Sequence, residues 1–266
     1  WLTGRTDLPL RRLWAVLTAL PLVIPSYVGA FLVVSALGPR GLLQQLMETP
    51  FGVDRLPEIY GLPGATVTLA LLSYPYVLLT TRAALLNLDP ALEESARGLG
   101  HGSLSTLRNV VLPQLRPAIV AGALLVGLYT LSDFGAVSLL RYETFTWAIY
   151  QQYLSAFDRS VAALLSLFLV GLAIALLLTE GYFRGRMRYH RVGSGAAGPP
   201  KTAQLGRWRW PALAFCGGVA LAALVLPIAV LSYWLVRGLS EGESFAVLWN
   251  ATRNSLYVSG LAAVAC

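Results

Sequence analysis

The chain has 266 residues, of which 56% are hydrophobic and only 12% are charged, and its mean hydropathy is +0.63. Ordinary globular domains carry about twice that share of charged residues, so this composition excludes a typical water-soluble protein and favours one surrounded by lipid. The net charge of +7 could suggest a nucleic-acid binder. However, the basic residues lie between apolar runs, which indicates membrane topology instead.

Apolar runs of membrane-spanning length recur along the chain and predict an all-α polytopic membrane bundle. A helix of about 20 apolar residues crosses a hydrocarbon core of about 30 Å. Pro21, Pro25 and Pro75 would break a soluble helix, but a membrane bundle tolerates them, with a kink expected at Pro75. The predicted spans are 13–36, 62–81, 118–140, 160–179 and 211–236, and a sixth begins near Asn254.

Loops and a basic stretch separate these spans. Loops are predicted at 37–61 and 141–159, and the second carries aromatic residues of the kind found at water–lipid boundaries: Tyr142, Trp147, Tyr150 and Tyr153. The stretch 180–210 is basic, and GSGAAGPP at its centre is typical of a flexible linker. The two cysteines, Cys216 and Cys266, lack metal-ligand spacing and are interpreted as small hydrophobic residues.

The polar island at 89–117 is predicted to form two short helices joined by a glycine turn. Asp89 is suited to cap the first helix and Pro90 to begin it. The glutamates that follow, Glu93 and Glu94, favour the positive end of the helix dipole. The turn contains three glycines that permit left-handed backbone angles, Gly98, Gly100 and Gly102.

The second helix of this island is predicted over 104–112. Ser103 is expected to cap it and Pro113 to end it. Its apolar residues fall on one face at helical spacing: Leu104, Leu107 and Val111. The pattern therefore predicts a compact helical hairpin between two membrane spans.

The island also carries a motif at fixed spacing. It reads E-S-A, three residues, glycine, nine residues, V-x-L-P, and so resembles the EAA loop of the permease subunits of binding-protein-dependent ABC importers. Ser95 replaces the second motif residue, and Val110 stands in place of isoleucine. The resemblance implies a cytoplasmic loop that docks into a cleft of a separate ATP-hydrolysing subunit. The coupling-loop residues that it implies are Glu94, Ser95, Ala96, Gly100, Val110, Leu112 and Pro113.

Three further stretches resemble the matching spans of iron(III)-type permeases: 20–27, 74–76 and 131–156. The resemblance implies a permease of an ATP-driven importer, with no catalysis and no cofactor on this chain, because ATP and Mg²⁺ bind a partner ATPase dimer. The other implied partners are a periplasmic substrate-binding protein, a second permease half and membrane lipid, but no nucleic acid. Iron(III) is the implied substrate, and thiamine, polyamine, sulfate or molybdate are the alternatives. An ion-coupled secondary transporter remains a second class, although it would need ionisable groups near the bilayer midplane.

The domain organisation follows from the same resemblance, because two permease halves are often fused in that branch. We expect a first half at 1–181, a basic cytoplasmic linker at 182–210 and the start of a second half at 211–266. The chain lacks an initiating Met and stops in an apolar run, so we expect the first half to be truncated at its N-terminus and the second at its C-terminus.

The basic residues predict the orientation in the membrane. When alternate loops are assigned to alternate sides, 14 of the 20 lysines and arginines fall on one side. The richer side is expected to be cytoplasmic. This places the EAA-like loop and the linker inside the cell. The resemblance implies a multi-pass protein of the inner membrane.

Few other residues are candidates for function. Asp133 is predicted within the third span, toward its outer end. A carboxylate at the bilayer centre costs about 2.5–3.5 kcal/mol, so such residues usually face protein or a pathway. It is a candidate for the translocation path, or else an interfacial carboxylate bonded to neighbouring helices. No metal site is expected, because His101 and His190 lie apart without acidic or cysteine neighbours. Three glycines are expected to permit close helix packing: Gly122, Gly127 and Gly171.

Overall fold

The computed structural model describes residues 1–39, 41–52, 57–155, 159–185, 203–241 and 245–265. These residues form α-helices with short 3-10 and π turns, and within them the only β pairing is an isolated bridge between Thr6 and Ala203. The predicted all-α class is therefore confirmed. The chain divides into two compact units, Trp1–Pro227 and Ile228–Cys266, and the polar island lies in the first.

The helices are numbered in chain order. They are α1 (Leu2–Arg5), α2 (Arg11–Leu17), α3 (Ser26–Leu37), α4 (Leu42–Phe51), α5 (Leu62–Leu86), α6 (Pro90–Gly98), α7 (Ser103–Thr106), α8 (Leu112–Ser132), α9 (Gly135–Leu139), α10 (Phe145–Ser155), α11 (Ser160–Gly185), α12 (Arg209–Ala220), α13 (Leu226–Ser240) and α14 (Phe245–Ala265). The 3-10 turns are Leu20–Val23 and Gly206–Trp208, and the π turns are Leu107–Val111 and Leu221–Val225.

Five segments of the described chain are long and apolar enough to cross a membrane. They are Ser26–Gln45, Leu62–Leu86, Leu107–Ser132, Ser160–Thr179 and Gly206–Ser240. Four of them overlap the second to fifth predicted spans, so those predictions are confirmed in place, although their ends shift. The predicted sixth span falls within α14, which begins well before Asn254 and is not among the five segments.

The prediction of one continuous first span over 13–36 is wrong. The chain forms α2, then a 3-10 turn that contains Pro21, and then α3, which starts only after Pro25. Ile24 is extended, with φ −79° and ψ 117°. A proline disfavours the helical conformation of the residue before it and removes a backbone donor, so two prolines four residues apart interrupt the helix.

The third span and both loops also differ from expectation. The span runs as α8 from Leu112 to Ser132 instead of over 118–140, because the backbone becomes extended at Asp133, where φ is −70° and ψ is 130°. The predicted loop 37–61 contains α4, and the predicted loop 141–159 contains α10. By contrast, α5 runs as one helix through Pro75 and ends at Leu86, beyond the predicted end.

The long helix α5 connects two clusters of buried apolar residues at its opposite ends. One cluster gathers where α3, α5 and α9 meet and consists of Ala30, Ala65, Leu69, Ala136, Val137 and Leu140. The other lies where α5 meets the π turn and α8, and consists of Ala84, Leu85, Val111, Leu115 and Ala118. A helix of 25 residues is about 37 Å long, enough to separate the two ends by the thickness of a bilayer core.

Close packing of α5 against α8 depends on Gly122. A Cβ atom at this position would lie 2.5 Å from Thr80 Oγ1 and 2.7 Å from the Cα atom of Val77. The expectation for Gly122 is therefore confirmed. It is wrong for Gly127 and Gly171 within the described chain, because a Cβ there would meet no described atom within 4 Å.

The predicted linker lies largely outside the described residues, since α11 ends at Gly185 and the description resumes at Ala203. His190 also lies outside them. The boundaries at 181, 182, 210 and 211 remain predictions. Cys216, in contrast, is buried in a small apolar cluster with Leu8 and Ala212, as expected of a small hydrophobic residue.

Candidate coupling site

The first helix of the polar island begins as its sequence predicts. α6 starts at Pro90, and the Asp89 carboxylate accepts a hydrogen bond of 3.0 Å from the backbone N–H of Ala91. This bond satisfies one of the donors that a helix leaves unpaired at its N-terminus. Pro90 has no N–H to leave unpaired, which suits the first helical position.

A glycine turn ends α6. Gly100 adopts the left-handed conformation, with φ +86°, and His101 N–H donates to the Ala96 carbonyl at 3.1 Å. Leu99 N–H donates to the Ser95 carbonyl, also at 3.1 Å. The His101 bond and the left-handed residue before it are those of a Schellman motif, in which the chain bonds back to the last helical turn. The predicted left-handed glycine is confirmed at Gly100; neither of the other two turn glycines has a positive φ.

The second arm of the hairpin differs from the prediction in two respects. Ser103 is the first residue of α7, not the residue before it, because Thr106 N–H already donates to the Gly102 carbonyl at 2.9 Å. Pro113 does not end the helix. A π turn, in which Leu112 N–H bonds the Leu107 carbonyl, precedes it and widens the helix where a proline ring would otherwise clash.

The second arm of the hairpin is therefore continuous with the membrane span that contains α8. The chain stays helical from Ser103 through the π turn to Ser132. On its other side, the hairpin is separated from the end of α5 by only three residues, 87–89. A displacement of the hairpin therefore acts directly on α5 and α8, which pack against each other.

The two faces of α6 have opposite environments. Glu93 and Ala96, three residues apart, are buried against the rest of the protein. Glu94 and Ser95 are exposed, and Leu99 just beyond the helix is 82% exposed. A carboxylate, a hydroxyl and a large apolar side chain are thus accessible along α6 and the turn after it, which suits contact with another protein.

The later motif residues occupy the base of the hairpin. Val110 lies in the π turn and is half-buried, whereas Leu112 and Pro113 open α8, with Leu112 43% exposed. Their neighbours Val111 and Leu115 are buried against the end of α5. The predicted set is thus divided between α6 with its turn and the beginning of α8 with the π turn before it.

Hydrogen bonds between side chains brace the hairpin. His101 Nδ1 lies 3.0 Å from Ser105 Oγ, and Asn109 Nδ2 donates to the same hydroxyl at 3.2 Å. His101 is therefore part of the turn. Within the described residues, His, Cys, Asp and Glu form no group of three or more that could hold a metal ion.

Sequence reasoning missed Arg5, which was counted only as a basic charge. Its side chain is 3% exposed, and Nη2 donates to the carbonyls of Leu85 at 2.9 Å and Leu88 at 3.0 Å. The same nitrogen lies 3.8 Å from Glu93 Oε1. No local pattern reveals this arrangement, because the partners are at least 80 residues away in the sequence.

Asp133 lies at the opposite end of α8 and has structural contacts. It is 7% exposed, and its carboxylate accepts a hydrogen bond of 2.9 Å from Ala136 N–H in the first turn of α9. Its carbonyl accepts a bond of 2.7 Å from Thr146 Oγ1. The residue therefore lies between two helices and not within a span. Its assignment to a translocation path stays a prediction.

Aromatic residues cluster near the same end. Phe134 stacks on Trp147 with ring centroids 6.2 Å apart and lies 4.8 Å from the Tyr150 ring. The guanidinium of Arg159 lies 4.6 Å from the centre of the Tyr153 ring. Such amphipathic side chains are typical of a water–lipid boundary.

The fold and the hairpin together define a polytopic helical membrane protein with a helical hairpin between two of its spans. Residues 2–189 match the profile of the family described as binding-protein-dependent transport system inner membrane component. This is well over half of the chain, and the protein belongs to that family.

Several relatives share substantial identity with the chain. It is 34% identical over 249 residues to the Fe(3+)-transport system permease protein FbpB 2 of Haemophilus influenzae, covering 92% of this chain and 45% of the relative. It is 32% identical over 200 residues to the molybdenum transport system permease protein ModB of Escherichia coli K12, covering 73% of this chain and 85% of the relative. The chain thus spans about half the length of the iron permease that it matches.

A sulfate relative and a solved structure complete the comparison. The sulfate transport system permease protein CysT of Salmonella typhimurium is 29% identical over 199 residues, covering 73% of this chain and 70% of the relative. The solved structure is a bacterial ABC transporter involved in the import of alginate, with a TM-score of 0.50, 18% identity and 67% coverage of both chains. At that identity the structural likeness shows the fold alone.

Proposed function

We propose that this chain is the membrane-spanning permease part of an ATP-driven ABC importer. Its EAA-like hairpin passes the movement of a cytoplasmic ATPase dimer to the spans. The observation that carries the proposal is the hairpin itself: Glu94, Ser95 and Leu99 are exposed along α6 and the turn after it. The second arm continues as helix into α8, and three residues join the first arm to α5. A surface for a partner is thus joined to two membrane spans by a continuous helix on one side and a connection of three residues on the other.

The proposed cycle follows from this continuity. A loaded periplasmic binding protein contacts the outer end, and ATP binding closes the ATPase dimer on the cytoplasmic side. The hairpin moves with its partner, and the packed pair α5 and α8 rocks with it, which switches the cavity between the two permease halves. The chain itself is a transport component without catalysis, and ATP and Mg²⁺ bind the partner.

Iron(III) is the substrate that the relatives support best. The iron permease matches 92% of the chain, whereas the molybdenum and sulfate permeases match 73% each at lower identity. Molybdate and sulfate are therefore the next candidates, followed by thiamine and polyamines. An ion-coupled secondary transporter is less well supported, since Asp133 makes local backbone contacts instead of facing the midplane of a span.

Retention of the ATPase subunit tests the coupling proposal. Gly100→Trp places a large side chain at the tip of the hairpin, and we expect purified protein to lose the ATPase and ATP-dependent uptake. Gly61→Trp is the matched control, because Gly61 also has a positive φ of +81° and no described atom near its Cβ position, but lies at the other end of α5. It should retain the ATPase subunit. Equal retention by both variants would contradict docking through this hairpin.

Uptake into proteoliposomes separates the substrate classes. With the ATPase, a binding protein and ATP present, we expect accumulation of radiolabelled iron(III) in preference to molybdate, sulfate, thiamine or spermidine. Preference for another member of the panel would overturn the iron assignment alone. Accumulation driven by a proton or sodium gradient without ATP would overturn the importer class.

A further inference from the structure

Arg5 lies at a junction of three parts of the chain that the sequence does not connect. The Arg5 cluster consists of Arg5, the carbonyls of Leu85 and Leu88, and the carboxylate of Glu93. All three partners face the same guanidinium nitrogen, at 2.9, 3.0 and 3.8 Å respectively. The side chains of Arg5 and Glu93 are only 3% and 11% exposed.

Each contact in the cluster has a physical reason. The last carbonyls of a helix lack α-helical partners and carry partial negative charge. The Arg5 guanidinium donates to the Leu85 carbonyl in the last turn of α5 and to the Leu88 carbonyl just beyond it. Glu93 lies at a distance that is too long for a hydrogen bond but short enough for an ion pair. Since water is largely excluded, the pair attracts more strongly than a surface pair would. The cluster therefore connects the end of α5 to the buried face of α6.

The same N-terminal segment also holds the chain that precedes α12. Ala203 N–H donates to the Arg5 carbonyl at 2.8 Å, and Asp7 N–H donates to the Ala203 carbonyl at 3.2 Å. The Asp7 carboxylate accepts a bond of 2.9 Å from Leu205 N–H. Leu8 packs beside Ala212 of α12. Residues 5–8 therefore contact the coupling hairpin on one side and the chain leading to the next span on the other.

We propose that Arg5 is a positioning residue that orients α6 through Glu93 and joins its movement to residues 203–205. This inference rests on the proposed function, because it assumes that α6 receives the ATPase movement. The two adjacent glutamates then have different roles. Glu94 faces outward toward the partner, and Glu93 faces inward and connects the helix to Arg5. Movement of the hairpin reaches α12 through Arg5 as well as reaching α5 and α8 along the chain.

The test measures substrate taken up per ATP hydrolysed by the complete transporter in proteoliposomes, with radiolabelled iron(III) on its binding protein. Arg5→Gln and Glu93→Gln should each lower this ratio at least about fivefold, the low end of coupling between sites. Basal ATP hydrolysis and subunit assembly should persist. The double variant should be no worse than the poorer single variant, because both remove the same contact. Arg5→Lys, which keeps the charge, should recover part of the ratio.

Two controls make the outcomes distinguishable. Arg12→Gln removes an exposed arginine from the same part of the chain and should leave the ratio unchanged. If the Arg5→Gln transporter does not assemble, Glu93→Gln alone decides, because it retains the side-chain volume and all Arg5 carbonyl bonds. A normal ratio in Glu93→Gln would overturn the positioning role alone. Failure of the unaltered transporter to couple uptake of any substrate of the panel to ATP would overturn the proposed function, and the positioning role with it.

Discussion

A Cβ atom added at Gly122 would lie 2.7 Å from the Cα atom of Val77, so the backbones of α8 and α5 touch where these two residues cross. Small residues allow such approaches in membrane bundles, where packing replaces the hydrophobic effect as the force between helices. The crossing lies between the hairpin and the opposite end of both helices. It makes the pair of helices attached to the hairpin a single packed body.

The crossing predicts a cost for one added methyl group. Gly122→Ala should lower the free energy of unfolding by about 1–3 kcal/mol, because the close neighbour is backbone that cannot move aside. Gly127→Ala is the matched control in the same helix, where a Cβ would meet no described atom within 4 Å. Thermal unfolding in detergent micelles compares the two. Equal melting temperatures would contradict the close approach of α5 and α8.

The left-handed turn at Gly100 predicts that an added methyl group there destabilises the hairpin locally. Gly100→Ala forces a side chain into the left-handed region at a cost of about 1–2 kcal/mol, whereas Gly102→Ala does not, since Gly102 has no positive φ. We expect faster amide hydrogen exchange at Leu99 and His101 in the first variant only. Unchanged protection in Gly100→Ala would show that the Schellman turn does not hold the hairpin together.

Asp133 allows its two predicted roles to be separated. Asp133→Asn retains an oxygen that can accept from Ala136 N–H and should keep uptake close to that of the unaltered protein. Asp133→Ala removes the acceptor and should cost about 0.5–2 kcal/mol of stability, as loss of a helix-capping bond does. Both are measured by uptake in proteoliposomes and by thermal unfolding. Abolished uptake in a stable Asn variant would instead support a charged residue in the translocation path.

Local features of the site were predictable from the sequence. Asp89 caps α6, Pro90 begins it and Gly100 takes the left-handed conformation, because each depends on interactions within a few residues. The motif spacing likewise located the hairpin between two spans. Where a feature depends only on neighbouring residues, the sequence carries the information.

The errors arose where helix geometry has more than one solution. Pro113 was expected to end a helix, but a π turn accommodates it and the helix continues into α8. Pro21 and Pro25 were expected to be tolerated within a span, but together they interrupt it. A proline can kink, end or pass through a helix, and the surrounding packing decides which.

Arg5 was beyond the reach of sequence reasoning for a different reason. Its partners lie at the end of α5 and in α6, and only the folded chain brings them together. In one sequence, a buried arginine in an ion pair looks like any other basic residue near a membrane span. The division between Glu93 and Glu94 was hidden in the same way, because only tertiary contacts decide which glutamate is buried.

The side of the membrane on which the hairpin lies tests the account most directly. In a variant with both natural cysteines replaced, Leu99→Cys would be treated with a membrane-impermeant maleimide in intact cells and in inverted vesicles. Tyr153→Cys, exposed at the opposite end of the bundle, is the control. We predict labelling of Leu99→Cys only in inverted vesicles and of Tyr153→Cys in intact cells. Labelling of Leu99→Cys in intact cells, with Tyr153→Cys protected, would contradict a hairpin that couples the spans to a cytoplasmic ATPase.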